Sequence, residues 1–392
     1  MNFDALASGY FRLKASSGSH PPSLSTLRAR FPELQVQLDA CFLSNPAASA
    51  LVLERFREDF AEEARLLRVL SEYPAQSESL SEELAESLGV APKNLFLTNG
   101  AAEAIQALLR RFSCRTLVVH PNFTEYHELA ARFGVVEAFR LSPENSFRLD
   151  PEALLARIRS FRPDTLVLIN PNNPDGGVIA QETLRTLLEQ IPPGLLVLVD
   201  ESFIHYTDEA PDAWPSVQGW LKEFPQLGVI KSLAKDYGVA GLRVGYAALS
   251  EERVRELRQD GFLWNLNGLA EWFLRLQAQP TFQERYEPLR QQAIRDARRL
   301  NRQFQEISGV RAFPSWANFS LIQFPHPGQA EAVMLKLLCE YGVYVRNCSD
   351  KPGLEQAECL RWAARTDAEN QQGLRALQEV LSAFPKPPPE FP

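Results

Sequence analysis

The stretch IKSLAKDYGVAGLRVGY, residues Ile230–Tyr246, decides the fold. It places Lys235 between two runs of β-forming residues, in a loop with three glycines. Glycine leaves room for the backbone to approach a ligand closely. Ser232 and Arg243 flank the lysine, and a hydroxyl beside a guanidinium suits a phosphate group. The stretch predicts a lysine held beside a phosphorylated ligand, and an ordinary surface lysine in a turn is the alternative.

Two apolar runs precede this stretch, and each ends in polar residues. The run DTLVLI leads into Asn170–Gly176, NPNNPDG, and the run LLVLV ends at Asp200. Continuous apolar runs are typical of buried parallel strands. The carboxyl ends of such strands face the crevice where α/β proteins bind their ligands. We therefore expect the carboxylate of Asp200 to point into that crevice.

A third strand end carries a possible anion site. Residues Leu95–Phe112, LFLTNGAAEAIQALLRRF, read as a strand, a turn and a helix. Free N–H groups at a helix start bind anions, and here Gly100, Ala101 and Ala102 are all small. A plain strand-turn-helix would look the same. The chain has no GxGxxG or Walker sequence, so this is no dinucleotide fingerprint.

Taken in order, these motifs resemble the fold-type I pyridoxal-phosphate enzymes, the aspartate aminotransferase family. The branch they resemble most is that of the histidinol-phosphate aminotransferases and threonine-phosphate decarboxylases. The resemblance covers residues 40–385 approximately, and NPNNPDG is similar to the family pattern NPxNPxG.

The resemblance implies an α/β fold with two domains. A large cofactor-binding domain, 45–265, is expected to hold a mostly parallel seven-stranded sheet between helices. An N-terminal arm, 1–44, precedes it, and a smaller α+β domain, 266–392, follows. Residues 1–37 lack periodicity, 53–70 read as one amphipathic helix, and the last third reads as helices on a short antiparallel sheet.

Cofactor roles follow from the resemblance. It implies that Lys235 forms an imine with the aldehyde of pyridoxal 5'-phosphate and, once freed, moves a proton. It implies that Asp200 pairs with the protonated ring nitrogen and that Asn173 donates to the ring oxygen. Lys235 and Asp200 are thus the expected catalytic residues. The phosphate is expected to be anchored by the turn Gly100–Ala102, by Ser232 and by Arg243.

Four further positions match the family. Phe123 is expected to stack on the pyridine ring. Tyr73, in a Tyr-Pro pair, is expected to reach the cofactor phosphate of a partner subunit, which implies a homodimer with shared active sites. Arg361 aligns with the arginine that grips the substrate carboxylate as a fork. Arg346 resembles an arginine that binds phosphorylated substrates.

The reaction stays open at this point. The expected activity is an aminotransferase that moves an amino group between an amino acid or phosphorylated amino-alcohol and a 2-oxo acid. The alternative is an amino-acid decarboxylase on the same scaffold. A non-catalytic regulator that binds the cofactor is a third possibility. Phe203 stands where the family's aminotransferases usually have a tyrosine, as in the decarboxylase-like branch.

Composition excludes several other classes. The 392 residues carry a net charge of −8, and the sequence has no run of basic residues that would indicate nucleic-acid binding. No secretory signal or membrane span is recognisable, so a cytoplasmic protein is expected. The five cysteines are scattered and read as reduced thiols. The five histidines form no HExxH and no pair with metal spacing, so no metal is expected.

Overall fold

The computed structural model describes residues 3–207 and 216–384. Its larger sheet has seven strands: β2 Leu95–Thr98, β3 Arg115–His120, β4 Val135–Arg140, β5 Thr165–Ile169, β6 Leu196–Asp200, β7 Leu227–Ser232 and β8 Gly245–Ala248. They lie in the order β2-β8-β7-β6-β5-β3-β4. Every neighbouring pair is parallel except the two pairs of β8, which is antiparallel to β2 and β7. The predicted mostly parallel sheet is confirmed.

The central strands β5 and β6 are buried along their whole length, and their sequences are mainly apolar. In β5, Leu166 and Leu168 join one hydrophobic core, while Val167 and Ile169 join the core on the other face. The helices around this sheet are α3 Pro46–Asp59, α4 Glu63–Ser71, α5 Ser77–Leu88, α6 Ala101–Phe112, α7 Glu125–Phe133, α8 Pro151–Phe161, α9 Gln181–Gln190, α10 Leu233–Asp236, α11 Glu251–Gln259 and α12 Gly268–Gln277.

A second sheet has five strands: β1 Leu38–Ala40, β9 Arg311–Ala312, β10 Phe319–Phe324, β11 Val343–Asn347 and β12 Glu358–Ala363. Its order is β1-β11-β12-β10-β9. The helices α13 Pro280–Gln305, α14 Gln329–Tyr341 and α15 Asp367–Ser382 accompany it. Three pairs are antiparallel, as expected, but β1 is parallel to β11, so the sheet is mixed.

The N-terminal segment is more ordered than its sequence suggests. It forms α1 Phe3–Ser16 and α2 Leu24–Arg30 before β1. Leu6, Tyr10 and Leu27 are buried in the core of the five-stranded sheet. The expectation of an aperiodic segment was wrong here, because these apolar residues find their partners on elements beyond residue 300.

The expected helix 53–70 is two helices, α3 and α4. Phe60 ends α3 and packs against Trp272, with 5.4 Å between the ring centroids, and the chain turns there. Phe282 and Tyr286 belong to the core of the seven-stranded sheet, so that core continues past residue 265. The domain boundaries themselves stay predictions. No helix in the described ranges is long and apolar enough to cross a membrane.

Candidate active site

A cavity of about 270 Å³ lies where the larger sheet meets the smaller one. Ten of the residues selected from the sequence line it: Ala101, Ala102, Phe123, Asn173, Asp200, Ser232, Lys235, Arg243, Arg346 and Arg361. They come from the ends of β6 and β7, from α10, from the loops that follow β3 and β5 and the turn before β8, from the start of α6, and from β11 and β12. The topology thus brings together groups that are up to 260 residues apart.

The start of α6 is shaped by two glycines. Gly100 precedes the helix with φ 72°, a conformation that favours glycine, and a Cβ there would lie 2.7 Å from Arg243 Nη2. A Cβ on Gly245 would lie 2.8 Å from Ala101 N. No side chain caps this helix, so its first N–H groups face the cavity beside a guanidinium. A small anion such as a phosphate fits this turn.

Lys235 lies on the short helix α10, directly after β7. The pKa of its amine is lowered to about 8, first by burial and then by the cations Arg361 and Arg243, while Asp200 opposes the shift. Tyr206 Oη donates to the carbonyl oxygen of Lys235 at 3.2 Å, which fixes the backbone. An amine with this pKa exists partly as the free base near neutral pH, the form that attacks a carbonyl.

Asp200 ends β6 and is buried. Its Oδ2 accepts a hydrogen bond from Tyr126 Oη at 2.8 Å, and its Oδ1 accepts one from Ser202 N at 2.9 Å. Burial raises the pKa of Asp200, and both donors act against that rise. A cation placed opposite this carboxylate would keep it ionised. The sequence alone does not identify Tyr126 as a partner of Asp200, because the two residues are 74 positions apart.

Arg361 and Asn173 are in direct contact. Arg361 Nη1 donates to Asn173 Oδ1 at 2.7 Å, and Nη2 donates to Cys41 O at 2.9 Å. The guanidinium carbon lies 5.7 Å from the ring centre of Phe319. Arg361 Nε is buried without a partner in the described ranges. The amide of Asn173 and one edge of the guanidinium are therefore oriented before any ligand arrives.

Arg346 is engaged by the protein itself. Its Nη2 donates to both carboxylate oxygens of Asp350, at 2.8 and 3.0 Å, and to Ser19 O at 2.8 Å. Lys14 also pairs with Asp350, at 2.9 Å. Arg346 lines the cavity, as expected, and in doing so it holds the N-terminal segment against the wall.

Two aromatic residues form flat walls. Phe123 lies beside His20, with 5.6 Å between ring centroids. Phe203 is buried and meets Phe319 edge to face at 5.1 Å. Phe203 offers no hydroxyl to the cavity, so Asn173 has no phenol beside it from this position.

Two of the selected residues, Gly100 and Tyr73, are not among the residues that line the cavity. Gly100 immediately precedes α6, whose first residues do line it, whereas Tyr73 lies elsewhere on the chain. Tyr73 is 79% exposed and stacks on Trp264 with 4.6 Å between ring centroids. Its expected contact with a partner subunit stays a prediction.

The cavity wall is strongly cationic. Its side chains include Lys235, Arg243, Arg346, Lys351 and Arg361, and Asp200 is the one carboxylate among the described residues of the wall. Lys351 was missed from the sequence, since it lies in an irregular loop that has no motif. This wall suits a ligand with more than one negative group.

Comparison with known proteins identifies the family. The description "Aminotransferase class I and II" matches residues 36–377. The chain belongs to this family. The resemblance inferred from the motifs is therefore confirmed, and pyridoxal phosphate is the cofactor.

Among members of the class I and II aminotransferase family, decarboxylases and aminotransferases both resemble the chain. An L-serine phosphate decarboxylase of Campylobacter jejuni is 40% identical over 94% of this chain and 95% of its own length. A solved decarboxylase from Sulfurospirillum multivorans has a TM-score of 0.88 at 36% identity, covering 98% of this chain and 100% of that one. A histidinol-phosphate aminotransferase of Caldanaerobacter subterraneus is 31% identical over 78% of this chain and 83% of its own length.

The cavity fits the cofactor of this family. The uncapped turn at Gly100 beside Arg243 suits its phosphate, the buried carboxylate of Asp200 suits a cationic ring nitrogen, and Phe123 offers a flat surface. Lys235, with its lowered pKa, supplies the amine that the aldehyde requires. These are the residues that would hold pyridoxal phosphate here.

Proposed function

We propose that this protein is a pyridoxal-phosphate-dependent decarboxylase of a phosphorylated amino acid, with L-serine phosphate as the first substrate to test. The observation that carries the proposal is the 40% identity, over nearly the whole of both chains, with an L-serine phosphate decarboxylase. The relatives thus favour decarboxylation, which the sequence had left as the alternative, over aminotransfer.

The charges of the cavity support a substrate with two anionic groups. L-serine phosphate carries a carboxylate and a phosphate. With Lys235 and Arg243 assigned to the cofactor, the cations Arg346, Lys351 and Arg361 of the described wall remain on the substrate side. Burial strengthens these interactions, because few water molecules compete for the same groups. An uncharged side chain on the substrate would leave much of this positive wall without a counter-ion.

Two residues carry the chemistry in this proposal. When bound, pyridoxal phosphate supplies a ring that withdraws electrons from the substrate's α-carbon. The carboxylate of Asp200, held by Tyr126, favours the protonated ring nitrogen. Lys235 has a pKa of about 8, so its amine can both release and accept a proton near neutral pH.

In the proposed reaction the bond between the α-carbon and the carboxyl carbon breaks. Carbon dioxide leaves, its bonding electron pair stays at the α-carbon, and a proton from the Lys235 ammonium takes the place of the carboxyl group. The product is ethanolamine phosphate. Arg361, oriented by Asn173 and Cys41 O, would bind and orient the carboxylate before it leaves.

Aminotransfer remains a second candidate, because the family is named for it and a histidinol-phosphate aminotransferase is 31% identical. The two reactions differ in which bond at the α-carbon breaks. In aminotransfer the carbon–hydrogen bond breaks, and the carboxylate stays on the product.

One experiment separates these reactions. The purified holoenzyme is incubated with L-serine phosphate, L-threonine phosphate or L-serine, with and without a 2-oxo acid, and both carbon dioxide and new amino acid are measured. We expect carbon dioxide and ethanolamine phosphate from L-serine phosphate without any 2-oxo acid. New amino acid without carbon dioxide would overturn the proposal in favour of aminotransfer. Neither product would favour the non-catalytic regulator.

A homodimer is part of this proposal. Leu67 and Leu70 on α4 are 61% and 67% exposed. Tyr73, two residues after the end of α4, is also exposed and stacks on the exposed Trp264. Large exposed apolar side chains on one element are typical of an interface. A second copy of this chain that covers α4 would bury them and carry Tyr73 toward the neighbouring cavity.

A further inference from the structure

Lys351 occupies an unusual position in the loop between β11 and β12. It lines the cavity, and only 5% of its surface is exposed. Its ammonium donates to Asn122 O at 3.1 Å and to Thr124 Oγ1 at 3.0 Å. Both partners are neutral, and within the described ranges the ammonium forms no ion pair.

A buried ammonium without a counter-ion is unfavourable. The pKa of Lys351 is lowered to about 8, first by burial and then by the nearby cations Arg346 and Arg361. The adjacent carboxylate of Asp350 gives little relief, since it is already paired with Arg346 at 2.8 Å and with Lys14 at 2.9 Å. This part of the wall therefore has an excess of positive charge that an anionic ligand would balance.

Other donors in the same wall are also unused. An ammonium has three N–H bonds, and Lys351 uses two of them. Ser19 Oγ and Arg361 Nε are buried and have no partner in the part of the chain that the structure describes. All three residues line the one cavity, and unsatisfied buried donors call for a ligand that accepts hydrogen bonds.

Arg346 is less available than Lys351. Its guanidinium is occupied by Asp350 and by Ser19 O, so its main effect is to position the N-terminal segment. The residue expected from the sequence to meet a phosphorylated substrate is thus largely satisfied, whereas its neighbour in the wall is not.

We propose that Lys351 binds the phosphate group of the substrate and is the residue that selects phosphorylated amino acids over unphosphorylated ones. The inference rests on the proposed function for the identity of the substrate. Ser19 Oγ adds a second donor, and Arg346 holds Ser19 in place. Arg361 remains the partner of the substrate carboxylate.

The phosphate of the cofactor is the other anionic group that Lys351 could bind. Its expected anchors lie elsewhere: Ser232 ends β7, Arg243 lies just before β8, and α6 starts after the turn that follows β2. Lys351 instead contacts the loop Asn122–Thr124, which carries Phe123, the residue expected to face the ring. The test must therefore report cofactor binding as well as substrate binding.

The experiment compares wild-type holoenzyme with K351M, which keeps the length of the side chain but removes its charge, and with K351R, which keeps the charge. K93A is the matched control, since Lys93 is an exposed lysine that pairs with Glu251 and does not line the cavity. The first readout is the thermal unfolding midpoint as ethanolamine phosphate is added, with ethanolamine as the unphosphorylated comparison. The second readout is KM and kcat for L-serine phosphate, and the third is the cofactor content.

We expect ethanolamine phosphate to stabilise the wild type and K93A but not K351M. The KM for L-serine phosphate should rise on the order of 10- to 100-fold in K351M, the effect of one lost hydrogen bond to a charged group, and kcat should change only a few-fold. K351R keeps the positive charge and should therefore recover part of the stabilisation by ethanolamine phosphate. If Lys351 had only a structural role, restoring the charge would not restore this response.

The outcomes distinguish this inference from the proposed function. Should K351M keep both its response to ethanolamine phosphate and its KM, the inference is wrong while decarboxylation stands. Loss of cofactor from K351M with an unchanged response would assign Lys351 to the cofactor and overturn the inference. If the wild type decarboxylates nothing, the proposed function fails, but the stabilisation by ethanolamine phosphate still tests Lys351 without turnover. If K351M does not fold, K351Q and K351R carry the same comparison.

Discussion

Replacing Asp200 by asparagine tests the electrostatic part of the proposed chemistry. The carboxylate accepts from Ser202 N at 2.9 Å through Oδ1 and from Tyr126 Oη at 2.8 Å through Oδ2. Asparagine keeps one oxygen for Ser202 N–H, and its amide can donate to the Tyr126 oxygen once that hydroxyl turns. Both bonds survive, so we expect the free energy of unfolding to change by about 1 kcal/mol or less.

The rate should respond far more than the stability. D200N has no charge to keep the ring nitrogen protonated, and losing one such preorganised contact costs on the order of 100- to 1000-fold in rate. The assay is single-turnover release of carbon dioxide from L-serine phosphate by holoenzyme, with the cofactor content measured by absorbance. A rate within a few-fold of wild type, with the cofactor fully bound, would mean that Asp200 is not the partner of the ring.

Y126F is the control, because it keeps the charge and removes one donor. Without that donor the pKa of Asp200 should rise further above its ordinary value. As the pH increases, Asp200 of Y126F loses its proton and becomes a carboxylate again. Y126F should therefore regain activity at higher pH, whereas D200N, which has no carboxylate, should stay slow. Parallel pH profiles for the two variants would contradict this account.

Three further predictions follow from single residues. K235A should no longer link cofactor to protein after borohydride treatment, and linkage through another lysine, seen by peptide mapping, would refute the assignment. L70D should be a monomer in sedimentation and should have reduced activity, because α4 is expected to contact a second copy of the chain. An L70D dimer with full activity would contradict this interface. Burial puts the folded pKa of Lys351 at about 8, below the ordinary 10.5, so the unfolded chain binds more protons between these values. Wild type should therefore gain about 2 kcal/mol over K351M from pH 8 to pH 10 in urea unfolding without anions, and a constant difference would refute the shift.

The large sheet and most of the cavity were predictable because their signals are local. NPNNPDG and the stretch around Lys235 each fix a strand end and a turn within a few residues. The apolar runs before Asn170 and Asp200 also identify buried parallel strands without knowledge of their partners. A site residue can be predicted from the sequence when one strand and the turn after it determine its position.

The remaining features depend on contacts between distant parts of the chain. Tyr126 reads as one more buried aromatic until its hydroxyl is seen against Asp200, 74 residues away. In the sequence Lys351 looks like an ordinary loop lysine. Its ammonium has no counter-ion among the described residues, and this is visible only when the whole cavity wall is assembled. The apolar residues of the helices before residue 31 acquire their core mainly from elements near the other end of the chain.

The parallel pairing of β1 with β11 has a consequence for synthesis of the protein. Leu38 pairs with Val343, so about 300 residues must leave the ribosome before β1 can meet its neighbour. At about 5–20 residues per second, this delay lasts about 15 to 60 seconds. The seven-stranded sheet, complete by Ala248, can form during that interval, whereas Leu6, Tyr10 and Leu27 have no native core to join. The apolar side chains of the N-terminal segment therefore wait through that interval without the partners that bury them in the folded protein.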